Sequence, residues 1–189
     1  MSTPVDREDL IARLEAGETF AFLPFWGHTP KKDGTNREAC FSQWYAAPFD
    51  VDGVTYPTCE HYMMAGKARL FGDESSLRRI LGTEDPGRAK AVGRRVANFD
   101  DAVWRQNSRG IVEAGNEAKF RQHPAIGSFL CSTAPKVLVE ASPRDCIWGI
   151  GLGRDNPKVR VPSEWRGRNL LGFALMTVRD RLLESSIES

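Results

Sequence analysis

Apolar positions recur with different periods along the chain, and each change of period marks an element. Over residues 6–17, Leu10, Ile11 and Leu14 share one side of a 3.6-residue repeat, which predicts a short helix stopped by Gly17. Residues 19–26 form an unbroken apolar and aromatic run and predict a buried strand. Residues 28–38 (HTPKKDGTNRE) are the most polar stretch and predict an exposed loop beside the functional site, tuning substrate choice rather than chemistry. Next, FDVDGVTY alternates around Asp52-Gly53, the dipeptide favoured in two-residue hairpin turns.

From Thr58 onward the period becomes helical. Thr58 is a candidate N-cap for a helix over residues 59–71, with Gly72 as its stop. Shorter helices are expected over 75–81 and 86–96. A longer one over 101–121 carries Val103, Trp104, Ile111 and Phe120 as candidate core residues, and another short one covers 124–131. The run KVLVEA (136–141) reads as a strand. The final helix, over about 168–183, aligns Leu171, Leu175, Val178 and Leu182 on one stripe. Strands followed by helices, without regular βαβ alternation, predict an α+β fold. The expectation is one mainly helical domain over residues 1–189 with a small antiparallel sheet.

Composition narrows the function classes. Lys and Arg total 26 against 25 Asp and Glu, so the chain as a whole attracts neither nucleic acid nor an acidic membrane. Four cysteines at 40, 59, 131 and 146 form no CxxC pair, and three histidines complete no zinc pattern, so no metal is expected. A core rich in aromatics needs no disulfide staples. With neither a leader-like N-terminus nor a run long enough to span a bilayer, the expected location is the cytoplasm, with no membrane partner.

Three stretches carry candidate chemistry. In the helix EHYMMAGK, Glu60 and Lys67 are seven residues apart, so they project the same way about 10 Å apart along the axis. Two ionisable groups flanking an apolar patch can converge on a ligand. An N-terminal Glu favoured by the helix dipole and a solvated Lys would leave the same pattern, and spacing alone does not separate the two. The second stretch is FSQWY (41–45), preceded by Phe25-Trp26, where aromatics interleave with hydroxyl and amide groups suited to a flat heterocycle. The third, SPRDCIWGIG (142–151), sets Asp145 beside Trp148 and follows with Gly149 and Gly151, where a backbone can approach a ligand closely. No phosphate loop, dinucleotide fingerprint or nucleophile elbow is present.

These stretches together resemble the NADAR family. The resemblance rests on FSQWYAAPFDVDGVTYPTCEHYMMAGKARLFGD, Asp85-Pro86, GRRVANFDDAVW, NEAKF, LVEASPRDCIWGIGL and WRGRNLLGFALMTVR, in that order, over about residues 22–179. It implies an N-glycosidase needing no cofactor and acting on a small ribosylated amine or base. Phosphoribosylamino-pyrimidines of riboflavin synthesis are one substrate class; ADP-ribose on guanine in nucleic acid is the alternative, favoured by a basic surface around Lys31, Lys32 and Arg37. A non-catalytic module binding NAD or ADP-ribose is a third reading, against which the retained Glu60 and Lys67 count. Carried over by position, Glu60, Lys67 and Asp145 become the catalytic candidates. Phe25, Trp26, Ser42, Tyr62, Trp148 and Gly149 become the substrate-binding ones. Trp104, Lys119, Phe120 and Asn169 fall in matched stretches, Trp104 and Phe120 as structural residues. The chain departs from the family at His61 and at Gly66, a glycine inside a helix.

Overall fold

Asp6 opens the first helix by accepting a hydrogen bond from Asp9 N at 2.8 Å, and α1 (Arg7–Glu15) ends just before Gly17, whose φ of +91° no side chain would favour. The computed structural model describes residues 2–29 and 37–187. Most of the loop expected over 28–38, including Lys31 and Lys32, therefore lies outside the described residues. After α1 come β1 (Phe22–Phe25), a 3-10 turn (Arg37–Phe41), β2 (Phe49–Val51) and β3 (Val54–Tyr56). The helices α2 (Cys59–Leu70), α3 (Glu74–Leu81), α4 (Pro86–Gly93), α5 (Asp101–Gln122) and α6 (Pro124–Cys131) follow. The chain ends with β4 (Val137–Glu140), two 3-10 turns (Pro157–Arg160 and Pro162–Glu164) and α7 (Leu170–Ile187). The fold is α+β and mainly helical, as the patterning predicts.

The chain folds as two compact units. One joins residues up to Ser42 with residues from Pro124 onward; the other is Gln43–His123. In the first, β1 and β4 pair in parallel from Phe22 opposite Val137 to Phe25 opposite Glu140. The apolar run expected as a strand over 19–26 forms only four residues of strand, because its partner β4 is itself only four long. A parallel pair has no local turn signal, and the expected small antiparallel sheet is the hairpin of the other unit. Asn169 replaces a third strand beside β4: its Nδ2 donates to Leu138 O and its Oδ1 accepts from Glu140 N, both at 2.9 Å. Its own φ of +56° turns the chain into α7, so Asn169 is structural. On α7, Leu171, Leu175 and Val178 are buried, each worth about 1.5–3 kcal/mol of apolar burial. The fully buried Arg179 interrupts that stripe and donates to Lys136 O at 2.8 Å, holding the turn between α6 and β4.

In the second unit β2 and β3 close through Asp52 and Gly53, at φ +52° and +76°, the left-handed pair a two-residue hairpin demands. Four helices follow, with α2 packed against α3, α4 and α5. Three acidic caps start the later helices. Asp73 accepts from Ser76 N, Asp85 from Gly87 N and Asp100 from Val103 N, at 2.9, 2.7 and 2.9 Å. Thr58 stands at the start of α2 as expected, yet its hydroxyl meets the Nδ1 of buried His61 at 2.9 Å instead of capping a backbone amide. Val103, expected in the core, is 37% exposed in the first turn of α5.

Candidate active site

Helix α2 packs against α5 on one face and against α4 through Met64, and Glu60 and Lys67 lie within about 60° of Met64 around its axis. Towards α5, the two helices interlock through small residues. A Cβ on Gly66 would stand 2.7 Å from Ile111 Cγ2, and a Cβ on Gly115 would stand 2.6 Å from Tyr62 Cδ1. Gly66 therefore answers to helix packing, and its lack of a side chain admits Ile111 rather than a ligand. Cys59 completes this face, its Sγ directed at Gly115 O (3.7 Å) and Asn116 Oδ1 (3.6 Å), and burial pushes the thiol pKa up. A thiol held protonated in this way is a poor nucleophile. Towards α4, Met64 lies where a Cβ on Gly93 would meet its sulfur.

With about 100° per residue, Glu60 and Lys67 differ by only about 20° around α2, while Tyr62 lies about 160° from Glu60. Tyr62 accordingly joins an aromatic cluster. Its ring centroid is 4.9 Å from that of Tyr56 and 5.9 Å from that of Phe49, and Arg69 Nη2 donates to the Tyr56 hydroxyl at 2.7 Å. The expected substrate-binding Tyr62 is thus placed for packing against the hairpin, on the other side of the helix from Glu60.

Glu60 sits in the first turn of α2, where unpaired amide groups favour a carboxylate. It is only 2% exposed. Its backbone N donates to Gln43 O at 2.9 Å, which fixes Gln43 beside it. Gln43 supplies the amide of the FSQWY stretch but is not among the residues expected to bind substrate. Its side chain is buried, and neither amide atom finds a partner among the described residues. Its position inside FSQWY was the available signal; its burial had none.

Lys67 is half-buried, two turns further on. Its Nζ lies 4.0 Å from the ring centroid of Phe99 and 5.4 Å from that of Trp104. Burial alone pushes its pKa down from the ordinary lysine value. The ring faces oppose that by about 0.5–2 kcal/mol, because they attract the ammonium form. Trp104, expected as structural, is therefore also part of the wall around the amine. Of the remaining matched residues on α5, Lys119 and Phe120 are both fully buried, with the Lys119 ammonium 4.4 Å from the Phe120 ring centroid.

The other six candidates belong to the first unit. Phe25, expected to line a pocket, is fully buried, its ring edge-on to Phe41 at 5.4 Å, as a core residue. Trp26, the next residue, is 54% exposed. Ser42 follows the 3-10 turn and donates its backbone N to Ala39 O at 3.1 Å. Asp145 Oδ1 accepts from both Ile147 N and Trp148 N at 2.8 Å, so this carboxylate organises the turn that carries Trp148. Gly149 is buried inside that turn, where a Cβ would stand 2.9 Å from Glu140 O. The close backbone approach expected at Gly149 is to the chain itself. Arg37, expected in a basic surface, lays its guanidinium over the Phe129 ring at 4.4 Å. Among the described residues, no group of three or more His, Cys, Asp or Glu is placed to hold a metal ion, and no helix is long and apolar enough to cross a membrane.

A family model described as the NADAR domain matches residues 24–183. Over 169 residues the chain is 39% identical to N-glycosidase R617 of Acanthamoeba polyphaga mimivirus, covering 86% of this chain and 97% of the viral protein. It is 34% identical over 142 residues to N-glycosidase YbiA of Escherichia coli strain K12, 75% of this chain and 80% of that one. The NMR structure of E. coli YbiA matches with a TM-score of 0.70 at 29% identity, over 91% of this chain and 92% of YbiA. The chloroplastic riboflavin biosynthesis protein PYRR of Zea mays is 33% identical over 141 residues, which are 70% of this chain and 20% of PYRR. A model that spans most of the chain, with N-glycosidases matching over most of their own length, settles the family: the chain is an enzyme of the NADAR domain family.

Proposed function

We propose that the chain hydrolyses the N-glycosidic bond between a ribose and an amine or base, with Lys67 as nucleophile and Glu60 as the assisting carboxylate. The observation that carries the reading is the setting of Lys67. Its amine is walled by two aromatic rings, is pushed towards the neutral form by burial alone, and shares a helix face with a buried carboxylate. A solvated surface lysine would have none of these features.

The Nζ lone pair attacks ribose C1′ while the bond from C1′ to the leaving nitrogen breaks, its electron pair staying on that nitrogen. Glu60 takes a proton from the resulting ammonium and passes it to the leaving nitrogen, and its negative charge steadies the cationic C1′ during the transfer. The ring oxygen then leaves C1′, taking a proton from solvent to become a hydroxyl, while the Nζ lone pair forms the C=N bond of an iminium on Lys67. Water adds to C1′ and gives one proton to the departing Nζ and the other back to solvent, so the neutral amine leaves and the free sugar is released as its aldehyde. One water is consumed, and no metal or redox group takes part.

Borohydride added during turnover tests this directly. A ribose-derived adduct should be trapped on Lys67, and Lys67→Ala should abolish both adduct and most activity. Lys67→Arg should not rescue it, because guanidinium stays protonated. Glu60→Gln should lower kcat more than it raises KM. An active Lys67→Arg enzyme without adduct would end the covalent role. Two substrates divide the finer readings: a phosphoribosylamino-pyrimidine of riboflavin synthesis, supported by the name of the maize relative, and DNA carrying ADP-ribosylated guanine. Release of ribose 5-phosphate or of ADP-ribose, read by mass spectrometry, identifies the class. Binding of ADP-ribose with turnover of neither would favour a non-catalytic module.

A further inference from the structure

We propose that Phe99 is a positioning and specificity residue of this site: one face of its ring shields the Lys67 amine, and its exposed part stacks on the planar leaving base. The proposal rests on the reading of Lys67 as nucleophile. A singly exposed aromatic means little by itself. Phe99 differs because a ring 45% exposed to solvent is held in one place from four directions. The Ala97 amide donates to Asp73 Oδ2 at 2.9 Å, tying the loop to the start of α3. Asn98 takes a φ of +55°, a left-handed turn that swings the next side chain out of the loop. Asp100 caps α5 immediately afterwards. The Phe71 ring then butts edge-on against Phe99 at a centroid distance of 5.3 Å.

What this rigid loop presents is a ring face 4.0 Å from Lys67 Nζ, with Trp104 as a second wall at 5.4 Å. In the ground state the two walls keep water from the amine, and this desolvation favours the nucleophilic form against the weaker pull of the ring faces on the ammonium. In the iminium the same nitrogen bears a positive charge, which the ring faces attract. The interaction thus strengthens as the reaction proceeds, the condition for a contribution to rate. A ring that is both 45% exposed and 4.0 Å from the amine offers an apolar planar surface close to the point where the base must depart. A flat heterocycle matches it; a saturated amine does not.

Phe99→Ala and Phe99→Leu separate the two roles. Phe99→Ala removes a ring face that attracts the ammonium but opens the amine to water, which solvates the ammonium better, so the acid limb of the kcat pH profile should move to higher pH. Phe99→Leu keeps an apolar shield, so its limb should stay near that of the native protein. Both should lose stacking, raising KM for the phosphoribosylamino-pyrimidine and weakening inhibition by its free base about five-fold or more. Inhibition by the ring-saturated analogue of that base should be unchanged. Thermal unfolding near that of the native protein shows that the variants are folded. An unmoved acid limb in Phe99→Ala, in a protein whose native form traps the adduct, would overturn the shielding role. Equal losses for planar and saturated bases would overturn the stacking role. A native enzyme that turns over without any adduct would sink the Lys67 reading and the shielding role together, while the planar-against-saturated comparison would still decide stacking.

Discussion

Two glycines on one helix should respond to the same substitution with opposite signs. Gly110 and Gly115 both lie inside α5, where Ala is favoured over Gly by about 1 kcal/mol for conformational reasons. A Cβ on Gly110 would meet nothing within 4 Å, so Gly110→Ala should keep most of that gain. For a domain of this size that is a rise of about 2–4 °C in Tm. At Gly115 the new Cβ would stand 2.6, 3.0 and 3.2 Å from Cδ1, Cγ and Cε1 of Tyr62. The ring cannot swing aside, because Tyr56 and Phe49 press on it and Arg69 anchors Tyr56. Overpacking of this kind costs about 1–3 kcal/mol, which exceeds the conformational gain. Gly115→Ala should therefore lower Tm, by up to about 8 °C.

Denaturant and thermal unfolding of both variants, followed by two probes, give the free energies. The cause is isolated by repeating Gly115→Ala in a Tyr62→Ala background. With the ring removed, the same methyl group should become neutral or stabilising, a coupling of more than 0.5 kcal/mol between directly touching residues. If Gly115→Ala raised Tm as much as Gly110→Ala, or if its loss persisted without the Tyr62 ring, the packing described between α2 and α5 would be wrong.

Asp73 accepts hydrogen bonds from the amides of Ser76 and Ala97, and these hold its pKa down at about 2, against an ordinary 3.8. Because the folded value is the lower one, its contribution is complete above pH 3.8 and lost as pH falls through about 2; the Tm gap to Asp73→Asn should narrow over that window, and a constant gap would refute the assignment. Gln43→Leu removes a buried amide with no partner among the described residues, so it should stabilise the fold by about 1–3 kcal/mol; a lowered Tm would show that the amide is satisfied. Asp145→Asn keeps the Oδ1 acceptor that Ile147 N and Trp148 N use, so Tm should hold. Turnover then decides the carboxylate's role: a large loss in kcat marks a catalytic charge, and unchanged turnover marks a turn former.

What could be read in the sequence was whatever depends on neighbours along the chain. Asp52-Gly53 announces its hairpin because two successive left-handed residues are costly for anything else. The helices announce themselves through caps and spacing, and the stripe on α7 lies where the 3.6-residue period puts it. The pairing of β1 with β4 was not legible, since parallel strands 115 residues apart leave no turn between them and both are only four residues long. Nor was the burial of Arg179, whose partners Thr133 and Lys136 are more than 40 positions away.

The site was half legible for the same reason. Spacing put Glu60 and Lys67 on one face of α2 but was equally compatible with a dipole-favoured Glu and a solvated Lys. What favours the proposed reading comes from elsewhere: Phe99 and Trp104 around the amine, and Ile111 and Tyr62 claiming the faces that the glycines leave open. Val103 shows the cost of period alone. It fits the apolar repeat of α5, yet it stands exposed in the turn that also carries Trp104, four residues beyond a still more exposed Phe99. Apolar side chains left in water on a loop pinned at the Ala97 amide and at the Asp100 cap, and on the first turn of the helix that follows, are poor core and good binding surface. The mispredicted core residue and the residue that no motif nominated therefore point to the same place, the approach to Lys67.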